Sequence, residues 1–265
     1  MTTNNVLSQD VGQGWQRGFW NLIRKELKAW WGTSRWWLQG LLWAGSLNGL
    51  LFVALFLLPP MMRAQGESVG DPLVMGGQMF FSLGMLAVAV GVIIMMQGAI
   101  LDEKTSGTAA WILSKPVTRG AFLLSKLLAN AVSMFVLLIL IPALVAYAQF
   151  ALGNTGIQPV AFLIGVGLLA LHTFFYLTLT LLLGVLSENR GAVLGIALGV
   201  LLGGTLFRNL WPLSLVTPWL LPDLVVSLFA QTPLPGKMYA PILVTAAWSI
   251  FFVIASVWRF KRQEL

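Results

Sequence analysis

The residues of this 265-residue chain that could do chemistry are sparse, and their spacing excludes most chemistry. There is one histidine, His172, no cysteine, and nine carboxylates. No pair of carboxylates is spaced for general acid–base work, no His/Asp/Glu group has metal-ligand spacing, and no nucleophile–His–acid set stands out. The nearest approach to the phosphate-cradling pattern G-x-x-x-x-G-K-[ST] is LPGKM, which puts Met238 where the hydroxyl is needed. The chain is therefore expected to be no enzyme by itself and to hold no cofactor or metal of its own. What remains is one dense polar stretch, LDEKTSGTAAWILSKPVTRG at residues 101–120, with five charges, two Gly, a Pro and a Trp. That mixture suits recognition.

The elements that must position this stretch are apolar. Hydrophobic residues make up 58% of the chain and charged ones 9%, against about 25% charged in a soluble domain. Runs long enough to cross roughly 30 Å of hydrocarbon fall at about 36–58, 78–100, 121–150, 160–186, 191–207 and 238–258. The pattern predicts an all-α integral membrane protein with six transmembrane helices. Residues 1–35 form a tail and an interfacial helix, 36–258 the membrane domain, and 259–265 a short tail. Residues 1–14 are polar, and no clean apolar run follows them as in a signal peptide.

Positive charge is retained on the cytoplasmic side. With both termini inside, thirteen of the sixteen Lys and Arg residues fall in cytoplasmic segments, leaving Arg63, Arg208 and Lys237 outside. The nine acids divide into six inside and three outside, so the net charge of +7 lies wholly on the cytoplasmic face. Topology thus explains a basic balance that would otherwise suggest nucleic acid, and no nucleic-acid role is expected. The segment WQRGFWNLIRKELKAWWG spaces Trp15, Phe19, Leu22, Ile23, Leu27, Trp30 and Trp31 helically, with Arg17, Arg24, Lys25 and Lys28 between them. It reads as an amphipathic helix lying in the cytoplasmic interface, aromatics at headgroup depth.

Two glycine series run along helix faces: Gly77, Gly84, Gly91 and Gly98 every seven residues, and Gly191, Gly195, Gly199 and Gly203 every four. Small residues let helix backbones approach closely where lipid gives no hydrophobic drive. Each stripe serves packing within one subunit or an interface between subunits. Residues 208–237 are too rich in proline for a span, and LLPDLVVSLFA is too apolar for a free loop. They read as short helices re-entering the outer leaflet, with Trp211 and Trp219 at the outer interface. Lys126 lies one turn inside the third span, where it would snorkel to headgroups. With no carboxylate expected beside it, His172 reads as a hydrogen-bonded structural residue, with a proton relay as the alternative.

Within residues 101–120 the second span should run to Lys104 and break at Thr105, Ser106 and Gly107, glycine supplying the left-handed conformation that ends helices. A short helix from Thr108 to Leu113 follows, Pro116 stops it, and Thr118 is the N-cap of the third span. Trp111, Ile112 and Leu113 would face water and need a cover, either the membrane surface or a docked protein.

The segment E-x3-G-T-x4-L-x-K-P-x2-R-x6-K, formed by Glu103, Gly107, Thr108, Leu113, Lys115, Pro116, Arg119 and Lys126, resembles the cytoplasmic loop of ABC type 2 transporter permeases. These are the membrane subunits of ATP-binding-cassette exporters. The outline agrees: an interfacial helix, six spans with both termini cytoplasmic, and a re-entrant segment before the sixth. The resemblance implies a multi-pass plasma-membrane (inner-membrane) subunit that forms a homodimer or a paired permease. It would dock two copies of a separate ABC ATPase, which bind the ATP and Mg. Gly107 to Leu113 would be the coupling helix, Trp111 and Ile112 would fill the ATPase cleft, and Glu103 and Arg119 would hold the ends of the loop. The Gly191–Gly203 stripe would serve the dimer. A stand-alone secondary transporter or channel, or a non-transporting membrane assembly factor, is the alternative.

Overall fold

The computed structural model describes residues 18–207, 210, 213–232 and 239–263. Several sequence expectations lie outside the described residues: Trp15 and Arg17 of the amphipathic segment, Arg208 and Lys237 of the outer charges, Trp211, and Met238 at the head of the last span.

Among the described residues the fold is entirely helical. Helix α1 (Phe19–Trp31) precedes α2 (Arg35–Ala64), α3 (Pro72–Thr105), α4 (Thr108–Leu113), α5 (Arg119–Leu152) and α6 (Pro159–Leu186). Helix α7 (Arg190–Phe207), two short 3₁₀ turns, α8 (Leu221–Phe229) and α9 (Tyr239–Lys261) complete the chain. Five of these, α2, α3, α5, α6 and α9, are long and apolar enough to cross a membrane. At 1.5 Å per residue they measure about 35 to 51 Å, beyond the roughly 30 Å of hydrocarbon. Helix α7, where the fifth span was expected, is shorter than this group.

The long helices are not uniform. Widened π-helical turns occupy Val53–Leu57, Gln78–Ser82 and Phe135–Leu140. The first and third sit just ahead of Pro59 and Pro142, whose missing N–H groups and ring clashes with the preceding turn demand such a local rearrangement. In α3, regular helix breaks at residues 97–100 before a last turn, Leu101–Thr105.

Helix α6 is the axis of the bundle, packed against α3, α5, α7, α8 and α9. At the end away from the charges an aromatic cluster closes the core: Phe229 of α8 lies with its ring centroid 5.4 Å from that of Phe81 and 6.4 Å from that of Phe150. A Cβ added to Gly77 would sit 2.3 Å from the Phe229 ring, and one added to Gly91 2.3 Å from Trp43. The seven-residue glycine stripe thus seats α8 and α2 within the subunit, as close helix contact in lipid requires.

Candidate functional site: the charged end of the bundle

The turns of residues 101–120 follow from their residue types. Gly107 takes φ +73°, open to glycine and costly to other residues. The Ser106 and Thr108 hydroxyls meet at 2.9 Å across it. At the far side Thr118 is extended, and its hydroxyl accepts from the Ala121 N–H at 3.1 Å, an N-cap that starts α5. Between them, α4 turns Ala109 and Ile112 inward, because residues three apart share a helix face.

This corrects the expectation that Trp111, Ile112 and Leu113 all face water. Ile112 is 5% exposed and belongs to the core, and Leu113 packs against that core half-buried. Trp111 alone projects, 62% exposed, with the Lys115 ammonium 3.5 Å from its ring centroid. The exposed Pro116 turns the chain behind it.

The ends of the loop are tied to other elements. Glu103 pairs at 3.0 Å with Lys126 of α5 and with Lys25 of α1, while Glu26 of α1 holds Lys126 at 3.0 Å. Lys126, its side chain 7% exposed, is therefore ion-paired inside the protein and does not snorkel. Arg119 reaches the far end of the chain, donating from Nη1 to the carbonyls of Lys261 (2.9 Å) and Phe260 (3.4 Å). A cation at a helix C-terminus meets unpaired carbonyls and the negative end of the helix dipole. Lys104 does the same for α6 through Val185 (3.2 Å), to which Gln263 also donates (2.7 Å). The short turn between α6 and α7 contributes through Arg190, whose Nε donates to Asp102 at 2.9 Å.

Helix α1 has a partner within the chain that the sequence reading did not name. Its apolar face, Phe19, Leu22, Ile23 and Trp30, is buried against the start of α5. Trp30 donates to Asn130 (2.9 Å) and Trp31 to Ser133 (3.1 Å). Gly18 sits against Val117, so α1 touches the loop as well. The signal for this was available: Lys126, Asn130 and Ser133 recur at i, i+4 and i+7 inside an apolar span, and polar groups on one face need a polar partner.

The four-residue glycine stripe behaves unlike the seven-residue one. Gly191, Gly195 and Gly199 are exposed and Gly203 half-buried, and among the described residues no atom of another helix would meet a Cβ at Gly195 or Gly199. Trp219 donates to the Val200 carbonyl (3.1 Å) and lies against Gly204. His172 lines one cavity with Asp223 of α8, so a carboxylate does share its surroundings.

Fold and site together define a multi-pass helical membrane protein whose connecting segments are cross-linked by charge at one end. Residues 39–265 match the model of the family described as "Protein of unknown function (DUF2705)", and the chain belongs to that family. No curated protein matches it.

Proposed function

We propose that this chain is the membrane-spanning permease subunit of an ABC transporter, acting as an exporter and driven by a separate ATP-hydrolysing subunit. The observation that carries the reading is Trp111: a large aromatic side chain presented to solvent on a helix whose flanks are tied to the bundle. An isolated exposed apolar residue needs no explanation. Here, however, Glu103 and Arg119 link the two ends of its loop to α1, α5 and the end of α9. A push on α4 is thereby delivered to several long helices at once. That is the property a docking element must have, since the chain contains no pattern for binding ATP itself.

In this reading α7 is the fifth of six spans. Its 18 residues measure about 27 Å, enough for a thin or locally thinned bilayer. Both termini and the charged end are cytoplasmic, as the distribution of Lys and Arg favours. The uncovered faces of Gly195 and Gly199 support a second membrane subunit packed there, and two ATPase copies complete the assembly. Gly107, Thr108, Trp111 and Leu113 contribute the docking surface and its hinge, while Ile112 anchors the helix from beneath.

The test is co-purification with an ABC ATPase co-expressed with this chain, sought first among the genes that neighbour its own. Wild type is expected to retain the ATPase, and Trp111→Glu to lose it while keeping its membrane insertion and thermal stability. Retention of the ATPase by Trp111→Glu would overturn the docking assignment.

A further inference from the structure

Halfway along α6, away from the charged end, the bundle encloses a cavity of about 250 Å³. One wall is polar: Gln78 and Ser82 of α3, His172 and Tyr176 of α6, and Asp223 of α8. The other walls are apolar, with Met85, Leu86 and Val226 among them, and the cavity opens past the exposed Gln78 and Leu86.

Three features mark this as a built site. First, His172 and Tyr176 are buried at 3% and 0% exposure, yet among the described residues no protein group meets the His172 ring nitrogens or the Tyr176 hydroxyl in hydrogen-bond geometry. The Pro218 carbonyl stands near His172 and the Trp219 indole near Tyr176; that indole already donates to Val200, and one carbonyl can accept from a single imidazole N–H, which leaves the other ring nitrogen open. Leaving buried polar groups unpaired is costly, and native proteins rarely do so without a ligand or water. Second, Gln78 and Ser82 are the ends of a π-helical turn, whose more than four residues per turn put i and i+4 on one face, toward the cavity. Third, the Trp219 wall is fixed: a Cβ on Gly204 would come within 2.2 Å of its ring.

We propose that this cavity binds a neutral amphipathic molecule, with a hydroxyl or amide head on the His172–Tyr176 rail and a short aliphatic body against Met85, Leu86 and Val226. A neutral imidazole and a phenol each offer both a donor and an acceptor, which a hydroxyl or amide matches. Among the described residues the wall carries one charged side chain, the Asp223 carboxylate, which has an interaction of its own, so the described wall presents no positive group to an anion. A permanent cation would carry a heavy desolvation cost at this depth. The assignment does not rest on the ATPase reading.

The probe is an octanol bearing a diazirine on its chain, photolysed with the full-length protein in lipid nanodiscs without nucleotide or a second protein, and mapped by mass spectrometry. Labelling is expected on Met85, Leu86 and Val226, with 1-octanol competing and octane, octanoate and octylammonium not. Tyr176→Phe, which removes one oxygen and keeps the ring, should weaken competition by 1-octanol about tenfold, the worth of one hydrogen bond. A largely apolar groove of about 430 Å³, lined by Val132, Phe135 and Phe174 with Thr173 as its polar residue, is an internal reference whose labelling should not change in Tyr176→Phe. Competition by octane equal to that of octanol, or an unaltered response in Tyr176→Phe, would overturn the site. Equal competition by octanoate or octylammonium would overturn its neutral chemistry.

Discussion

The charged end of the bundle and the cavity beside α6 are both polar regions inside an apolar protein, and they are satisfied in opposite ways. At the charged end Lys126 is buried between Glu26 and Glu103, and Trp30 and Trp31 find Asn130 and Ser133. Beside α6, His172 and Tyr176 are equally buried and meet no partner among the described residues. The two glycine stripes repeat the contrast, one covered by Phe229 and Trp43 and the other bare at Gly195 and Gly199. The charged end thus meets most of its polar groups internally, Glu103 Oε2 and Gln263 Oε1 excepted, whereas the cavity leaves its polar rail open, as the proposed ligand requires. Buried polar groups are tolerated in both settings because each has, or awaits, a partner.

Five substitutions can break or sharpen this contrast. The largest effect is expected from Lys126→Met. It leaves Glu26 and Glu103 facing each other with only the half-exposed Lys25 nearby, and should cost about 3–5 kcal/mol of stability. Thermal unfolding in detergent measures it, and adding Glu26→Gln and Glu103→Gln should recover much of the loss. Next is Gly77→Val, whose branched side chain collides with Phe229 and should cost about 1–3 kcal/mol. Gly195→Val, at the bare stripe, should leave monomer unfolding unchanged and weaken self-association measured by crosslinking in membranes.

Trp30→Phe deprives Asn130 of its donor and should cost about 1 kcal/mol or more. Tyr176→Phe is the smallest in size and the sharpest in sign. Removing a hydroxyl that has no protein partner should leave unfolding in ligand-free detergent unchanged or raise stability slightly. If Tyr176→Phe destabilises as much as Trp30→Phe, its hydroxyl is satisfied within the chain and the contrast fails.

Much of the fold was legible because the bilayer imposes a length and a polarity on each span. The windows 121–150 and 160–186 lie within the helices Arg119–Leu152 and Pro159–Leu186, and the break at Gly107 and the cap at Thr118 sit where glycine and threonine chemistry put them. The end of α2 extended to Ala64 because Pro59 and Pro60 are tolerated after a π-helical turn, which a hydropathy window does not register.

Within the site, Trp111 stayed outside as its sequence context suggested, whereas Ile112 turned in, since the orientation of a six-residue helix depends on which neighbour it lies against. Glu103 and Arg119 were recognised as ends of the loop, but their partners Lys25, Lys126 and the α9 carbonyls lie at separations such as 78 and 142 residues.

By itself the sequence determined the quantities that depend on local composition: apolar helices of membrane length, a basic face, a broken helix at Gly107, and no catalytic or nucleotide-binding pattern. Tertiary structure alone decided which polar groups meet. Whether Lys126 reaches lipid or Glu26, what the apolar face of α1 packs against, and what meets His172 all depend on groups far apart in the chain. Helix packing brings those groups within hydrogen-bond range, and no periodicity along one helix specifies what faces it from another.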